Sequence, residues 1–318
     1  MHKKFYGQVL TFACIAFSLG ASPAKYPAQL PLRANPGHPV HLPVKKNQVP
    51  VVELLAHDCV LDPLMQDKMH RGIQFLHNFY AQYLDYDFSD NLTVRIHIFK
   101  NADAYRQYID VTYPHIPKTW IGVYLSGTNE ILVSLEDDEE AFYRNVFHET
   151  SHLLLTDKVK NCPNWINEGL AEYFEYMDVE GNGVYVHPQT VKDNRTKNWH
   201  GKGAMPDLLA SVSMTNKEWN FNDNLSDSDE PRTLGWSVAY FLMSDTKGKV
   251  FIGRLLGYLS RYPNDPQASL RAMNEYYPGG SHKLMREWRE WIAQKHEKHV
   301  YVSQYQFETK AAVMNGEW

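Results

Sequence analysis

Two histidines and a glutamate with helical spacing stand at His148-Glu149-Thr150-Ser151-His152. On an α-helix, positions four apart lie one turn apart on the same face, so His148 and His152 can offer two imidazole nitrogens to one metal ion. Glu149 follows the first histidine and can aim its carboxylate at a water on that ion instead of at the ion itself. Fifteen residues separate His152 from Glu168, which stands in the stretch Trp165-Ile166-Asn167-Glu168-Gly169-Leu170-Ala171-Glu172-Tyr173. Glu168 falls in the first turn of a second helix, with Glu172 one turn on along the same face. Two helices joined by a short loop can pack antiparallel and bring Glu168 to the histidine pair. Two His and one Glu leave a fourth position open, which separates catalytic zinc sites from closed structural ones. Glu172 then suits an outer role, accepting the free N–H of a ligand histidine and fixing its tautomer.

His148-Glu149-x-x-His152 combined with Trp165-x-x-Glu168-Gly169-x-Ala171-Glu172-Tyr173 resembles the gluzincin zinc metallopeptidases (HExxH…E), and is most similar to the bacterial peptidase-MA-like group. The resemblance covers roughly residues 90 to 260. It implies one Zn2+ per chain held by His148, His152 and Glu168, with Glu149 as general base and acid in peptide-bond hydrolysis. It also implies an α+β, zincin-like fold, with a small mixed β-sheet N-terminal to the active-site helix and a mainly helical C-terminal lobe. In that arrangement the strand just before the metal-binding helix sits at the sheet edge and pairs with an extended peptide. Two departures stand out. The 15-residue gap is shorter than in the thermolysin-like or aminopeptidase branches. In place of the tyrosine that steadies the oxyanion in those aminopeptidases, Pro231-Arg232-Thr233-Leu234-Gly235-Trp236 carries Arg232. Arg232, Tyr240 and His187 are the candidate oxyanion donors. The missing tyrosine also supports a different class of function, an exported zinc-binding or wall-associated interaction protein with a weakly catalytic site.

The elements that must position these residues are legible in outline. Asp137, Asp138, Glu139 and Glu140 place negative charge at the start of the histidine helix, and Phe142, Val146, Phe147, Leu153 and Leu154 give it an apolar stripe. Pro163 suits the first turn of the next helix, with Asn164 or the preceding turn as cap. Upstream, Asp62 to Leu84 reads as a long helix, Leu92 to Phe99 as a strand and Ala102 to Val111 as a helix. Ile121 to Leu125 and Ile131 to Leu135 read as a hairpin around Ser126-Gly127-Thr128-Asn129. Downstream, Tyr176 to His187 reads as a second hairpin and Asp193 to Gly203 as a polar loop. Met205 to Ala210 begins a short helix, and Trp219 to Pro231, with Asp223, Asp227, Asp229 and Glu230, reads as a solvated acidic loop. Leu234 to Met243, Lys249 to Arg261 and Lys283 to Lys298 read as helices, the last with Trp288 and Trp291 packed on one face.

The 318 residues are 43% hydrophobic and 22% charged, enough for a sizeable core. A formal charge of −5 with no long basic patch argues against nucleic acid. Residues 1–24 have the layout of a secretory signal peptide: Lys3 and Lys4, an apolar run from Val9 to Leu19, then small residues to Ala24. Its removal would delete two lysines and no acids, taking the charge from −5 to −7. The expected product is periplasmic or extracellular, has no stable membrane span and takes a peptide or protein substrate. Residues 25–50 are a proline-rich extended segment, and 51–318 a single zincin-like domain with an α/β part to about 160 and a helical part from about 161. Cys59 and Cys162 then remain, either as one disulfide or as two separate small buried residues.

Overall fold

The computed structural model describes residues 50–89, 92–116, 122–135, 138–181, 183–225 and 229–302. The signal-peptide and proline-rich segments, Ile121, Asp137 and Asp227 lie outside the described residues.

The chain is a mixed α+β structure. It opens with β1 (Val51–His57), α1 (Pro63–Tyr83), β2 (Thr93–Phe99) and α2 (Ala102–Thr112). The hairpin β3 (Gly122–Leu125) and β4 (Glu130–Ser134) leads into α3 (Glu139–Thr156), then α4 (Asn164–Glu175). A second hairpin, β5 (Met177–Glu180) and β6 (Gly183–Val186), precedes α5 (Thr190–Gly201), α6 (Leu208–Val212), α7 (Asn216–Leu225) and α8 (Glu230–Met243). The chain then runs through α9 (Thr246–Arg261), α10 (Ala268–Tyr276), α11 (Gly280–Ile292) and β7 (His299–Val302).

The first sheet has the order β1-β2-β4-β3. β1, β2 and β4 are parallel, and β3 runs antiparallel to β4. The strand just before the histidine helix is therefore internal, and its hairpin partner β3 is the edge, which corrects the sequence expectation. Alternation on β2 explains the two faces. Val94, Ile96 and Ile98 enter the main core against α1 and α3, while Arg95, His97 and Phe99 face the side that α2 partly covers. Asp62 and Asp138 cap α1 and α3 by accepting the backbone N–H groups of Leu64 and Glu140. Pro163 occupies the cap position of α4, which has no side-chain cap bond. Asn164 instead donates through Nδ2 to Asn220, 2.6 Å away.

Two polar stretches expected to be loops are helices. In α5 the buried positions are Lys192, Thr196 and Trp199, so the inner face carries a charge and the apolar periodicity vanishes. α7 covers much of the supposed acidic loop, and its Asp223 turns inward to Arg232. β1, α10 and β7 are additional elements that the amphipathic patterns do not announce. β7 pairs with β6 to complete a three-stranded sheet of order β5-β6-β7. Cys59 and Cys162 are both free thiols. Among the described residues no helix is long and apolar enough to cross a membrane.

Candidate metal centre

α3 carries the histidines because it is buried along its length: from Asn145 to Leu155 every residue is inaccessible. Tyr80 on α1 anchors it through a 2.9 Å hydrogen bond to Ser151. α4 is equally buried from Asn164 to Phe174 and packs on α3 across the Asp157–Pro163 turn. This brings Glu168 to the histidine pair. The Nε2 atoms of His148 and His152 are 3.1 Å apart. Glu168 Oε2 lies 3.8 Å from His148 Nε2, and Oε1 lies 3.8 Å from His152 Nε2. Two donors at about 2.0–2.2 Å from a tetrahedral zinc would stand roughly 3.3–3.6 Å apart, so these separations bracket the value a shared ion requires.

The outer hydrogen bonds fix which nitrogen points inward. His152 Nδ1 donates to Asn167 Oδ1 at 3.0 Å, and His148 Nδ1 is hydrogen-bonded to Glu175 Oε2 at 3.1 Å. With both Nδ1 atoms engaged outward, both Nε2 atoms face the same small space, where a shared cation could take a lone pair from each. Burial, reinforced by His148, holds the His152 pKa well below its ordinary value, keeping the neutral form that a metal ligand needs. The three groups His148, His152 and Glu168 could hold a metal ion.

Glu149 is set apart from this triad. It lies against the sheet edge, where a Cβ at Gly122 would stand 3.6 Å from its Cγ, and the backbone N–H of Tyr124 on β3 donates to its carboxylate. Burial pushes its carboxyl up to about 7, with His148 opposing and Glu168 adding to the rise. A carboxyl at that value exchanges a proton with a neighbour near neutral pH.

Residues 144–263 match a family described as "Protein of unknown function (DUF1570)". No curated protein matches the chain. The matched stretch starts one turn before His148 and runs past α8, so it contains the triad, Glu149 and the charged groups behind them.

Those charged groups revise two assignments. α4 and α8 cross at Gly169 and Gly235, where a Cβ on Gly169 would come within 2.6 Å of the Gly235 carbonyl oxygen, and one on Gly235 within 2.7 Å of that of Trp165. Only glycine at both positions lets the backbones approach so closely. The crossing delivers Arg232 to the acidic face of α4. Its Nη1 is 2.9 Å from Glu168 Oε2 and 3.4 Å from Glu172 Oε1, and its Nε donates to Asp223 Oδ2 at 3.1 Å. Burial opposes its charge, but Glu168, Asp223 and Glu172 overcome this and raise its pKa. Arg232 therefore holds the Glu168 carboxylate, with Nη1 and Nε turned to carboxylates and not to a substrate oxygen. Tyr240 lies eight residues further along α8, about 12 Å away along the axis. Its hydroxyl donates to the carbonyls of Val186 and Glu297 at 3.2 and 3.0 Å, which removes it from the oxyanion role.

Glu172, expected to orient a histidine, stands beside His148 and Glu175 and takes its ion pair elsewhere. It pairs with buried Lys192 and accepts from Gln189 Nε2 at 3.1 Å. Burial works against its charge, yet Lys192 and Arg232 hold its pKa well below the usual carboxylate range. The orienting residues are Asn167 and Glu175, neither singled out by the motif. Burial and the charge on Glu172 raise the pKa of Glu175 well above its ordinary value. A signal for Glu175 did exist: positions 168, 172 and 175 recur at helical spacing on one face of α4. Lys192, Asp223 and Asp229 complete the network around Arg232 and Glu172.

Proposed function

We propose that this chain is an exported zinc-dependent metallopeptidase of gluzincin type, with a zincin-like arrangement of the α3–α4 pair beneath a mixed sheet. The observation that carries the proposal is the convergence of His148 Nε2, His152 Nε2 and the Glu168 carboxylate, with Glu149 beside them but outside the donor set. When bound there, zinc supplies a Lewis acid and lowers the pKa of its water toward neutrality. Glu149 holds or releases a proton at its carboxylate, taking it from the attacking water and returning it to the leaving amine. Asn167 and Glu175 keep the imidazoles in the ligand tautomer, and Arg232 holds Glu168 in place. β3, an edge strand antiparallel to its neighbour, can present backbone C=O groups to an extended peptide beside Glu149, whose carboxylate holds the Tyr124 N–H.

The test is hydrolysis of a proteome-derived peptide mixture by the zinc-loaded protein. Cleavage stopped by a chelator and restored by zinc is expected. Glu149→Gln should keep one zinc per chain while losing turnover by about 10²–10⁴-fold. A Glu149→Gln protein as fast as its parent would remove Glu149 from the chemistry. A parent that holds zinc and cleaves nothing would favour the interaction-protein alternative.

A further inference from the structure

Asn145 is a buried polar residue that the chemistry above leaves without a task. It lies on α3 one turn before Glu149, and positions 145, 148, 149 and 152 share one face of that helix. It is 3% exposed, and its Nδ2 is sealed from solvent with no hydrogen-bond partner among the described residues. Its helix neighbours Phe142, Val146 and Phe147 are fully packed core side chains, so an apolar residue would suit this depth better than an amide with unmade bonds. The strand above it carries a glycine at the matching point. Gly122 of β3 passes over both side chains, and a Cβ there would be 3.6 Å from Asn145 Cβ and 3.6 Å from Glu149 Cγ. Gly122 thus brings the edge strand over this pair without a side chain of its own between them.

We propose that Asn145 is a specificity-determining residue whose side-chain amide donates to an uncharged oxygen, amide or hydroxyl, on a substrate side chain next to the scissile bond. This rests on the peptidase proposal. An extended peptide laid along the outer edge of β3 sends alternate side chains to the face of the sheet that α3 occupies, where Asn145 stands beside Glu149. The bond is made to an uncharged group because the donor is neutral and the Glu149 carboxylate beside it disfavours an anion. A site built to hydrogen-bond such a group disfavours substrates that lack it, since the buried donor is then left unpaired.

The experiment compares zinc-loaded parent, Asn145→Leu and Asn145→Ala by cleavage-site profiling on a proteome-derived peptide mixture, with thermal melting of each. The parent is expected to prefer Asn, Gln, Ser or Thr at one position flanking the cleaved bond. Both variants should lose that preference in favour of apolar residues, with kcat/KM on the preferred peptides down about 10–100-fold. Asn145→Leu should melt at the parent's temperature or above it, because a residue kept for substrate gives up stability that a leucine regains. An unchanged profile from an active parent overturns this inference and leaves the peptidase proposal standing. A fall in melting temperature with unchanged preference makes Asn145 structural and overturns it as well. A parent with no chelator-sensitive cleavage overturns the peptidase proposal, and this inference with it.

Discussion

Among the described residues, two groupings of two histidines and one glutamate are built differently. On the outer face of the first sheet, His57 Nε2 meets His97 Nδ1 at 2.9 Å, and His97 Nε2 faces Glu130 Oε1 at 3.7 Å. Those contacts use opposite nitrogens of His97, so the three groups form a line. Glu130 is also drawn toward Arg95, which pairs with Glu53, and His57 stacks on Phe99. In the α3–α4 pair each imidazole engages Nδ1 with an outer partner and turns Nε2 inward, so the Nε2 atoms converge on a point. Residue type is common to both groupings. Convergence comes from Asn167 and Glu175, and from a helix that stacks its histidines on one face.

The largest contrast is expected in zinc binding. His152→Ala should lose the bound equivalent altogether, while His97→Ala keeps it, measured by metal analysis after dialysis against a weak chelator. Loss in both proteins would place metal on the sheet face and erase the distinction. A smaller effect belongs to the orienting residues. Asn167→Ala and Glu175→Gln should each weaken zinc by about 10–100-fold in chelator competition, with Glu130→Gln unchanged. Equal affinity in all three would mean that the outer hydrogen bonds do not set the site. The smallest effect is on pH dependence. Burial, only partly offset by Glu130, lowers the His97 pKa, so the fold favours its neutral form. The associated stability is present above about pH 6.5, the ordinary histidine value, and fades as pH falls below it. His97→Gln should flatten this acid limb of the melting curve by a degree or two, about what a few tenths of a kcal/mol produces in a domain of this size. A steeper limb in the variant would reverse the sign assigned to His97.

The contrast also explains what the sequence could disclose. His148, Glu149, His152 and Glu168 were legible because i, i+4 spacing on an apolar helix dictates a common face before any tertiary contact is known. The hairpin over 122–134 was legible because Ser126-Gly127-Thr128-Asn129 has turn chemistry between apolar runs, and Asn129 adopts a φ of 60° there. The roles of Asn167, Glu175 and Arg232 were hidden because they depend on how α4 meets α3 and α8. Gly169 and Gly235 determine that crossing, and each looks like an ordinary helix glycine until the other is seen against it. The polar helices were hidden for a related reason. Lys192 and Asp223 face inward toward charges from other elements, so their sequences mimic solvated loops. The edge position of β3 follows from strand order, which local pattern does not encode.

The account stands on three side chains sharing one divalent ion, and X-ray absorption at the zinc edge of the reloaded protein addresses this most directly. One zinc per chain is expected, with two imidazole nitrogens and carboxylate oxygen in its shell, and with one imidazole lost in His148→Ala. A zinc spectrum unchanged by His148→Ala, or a parent that retains no zinc at neutral pH, would contradict it.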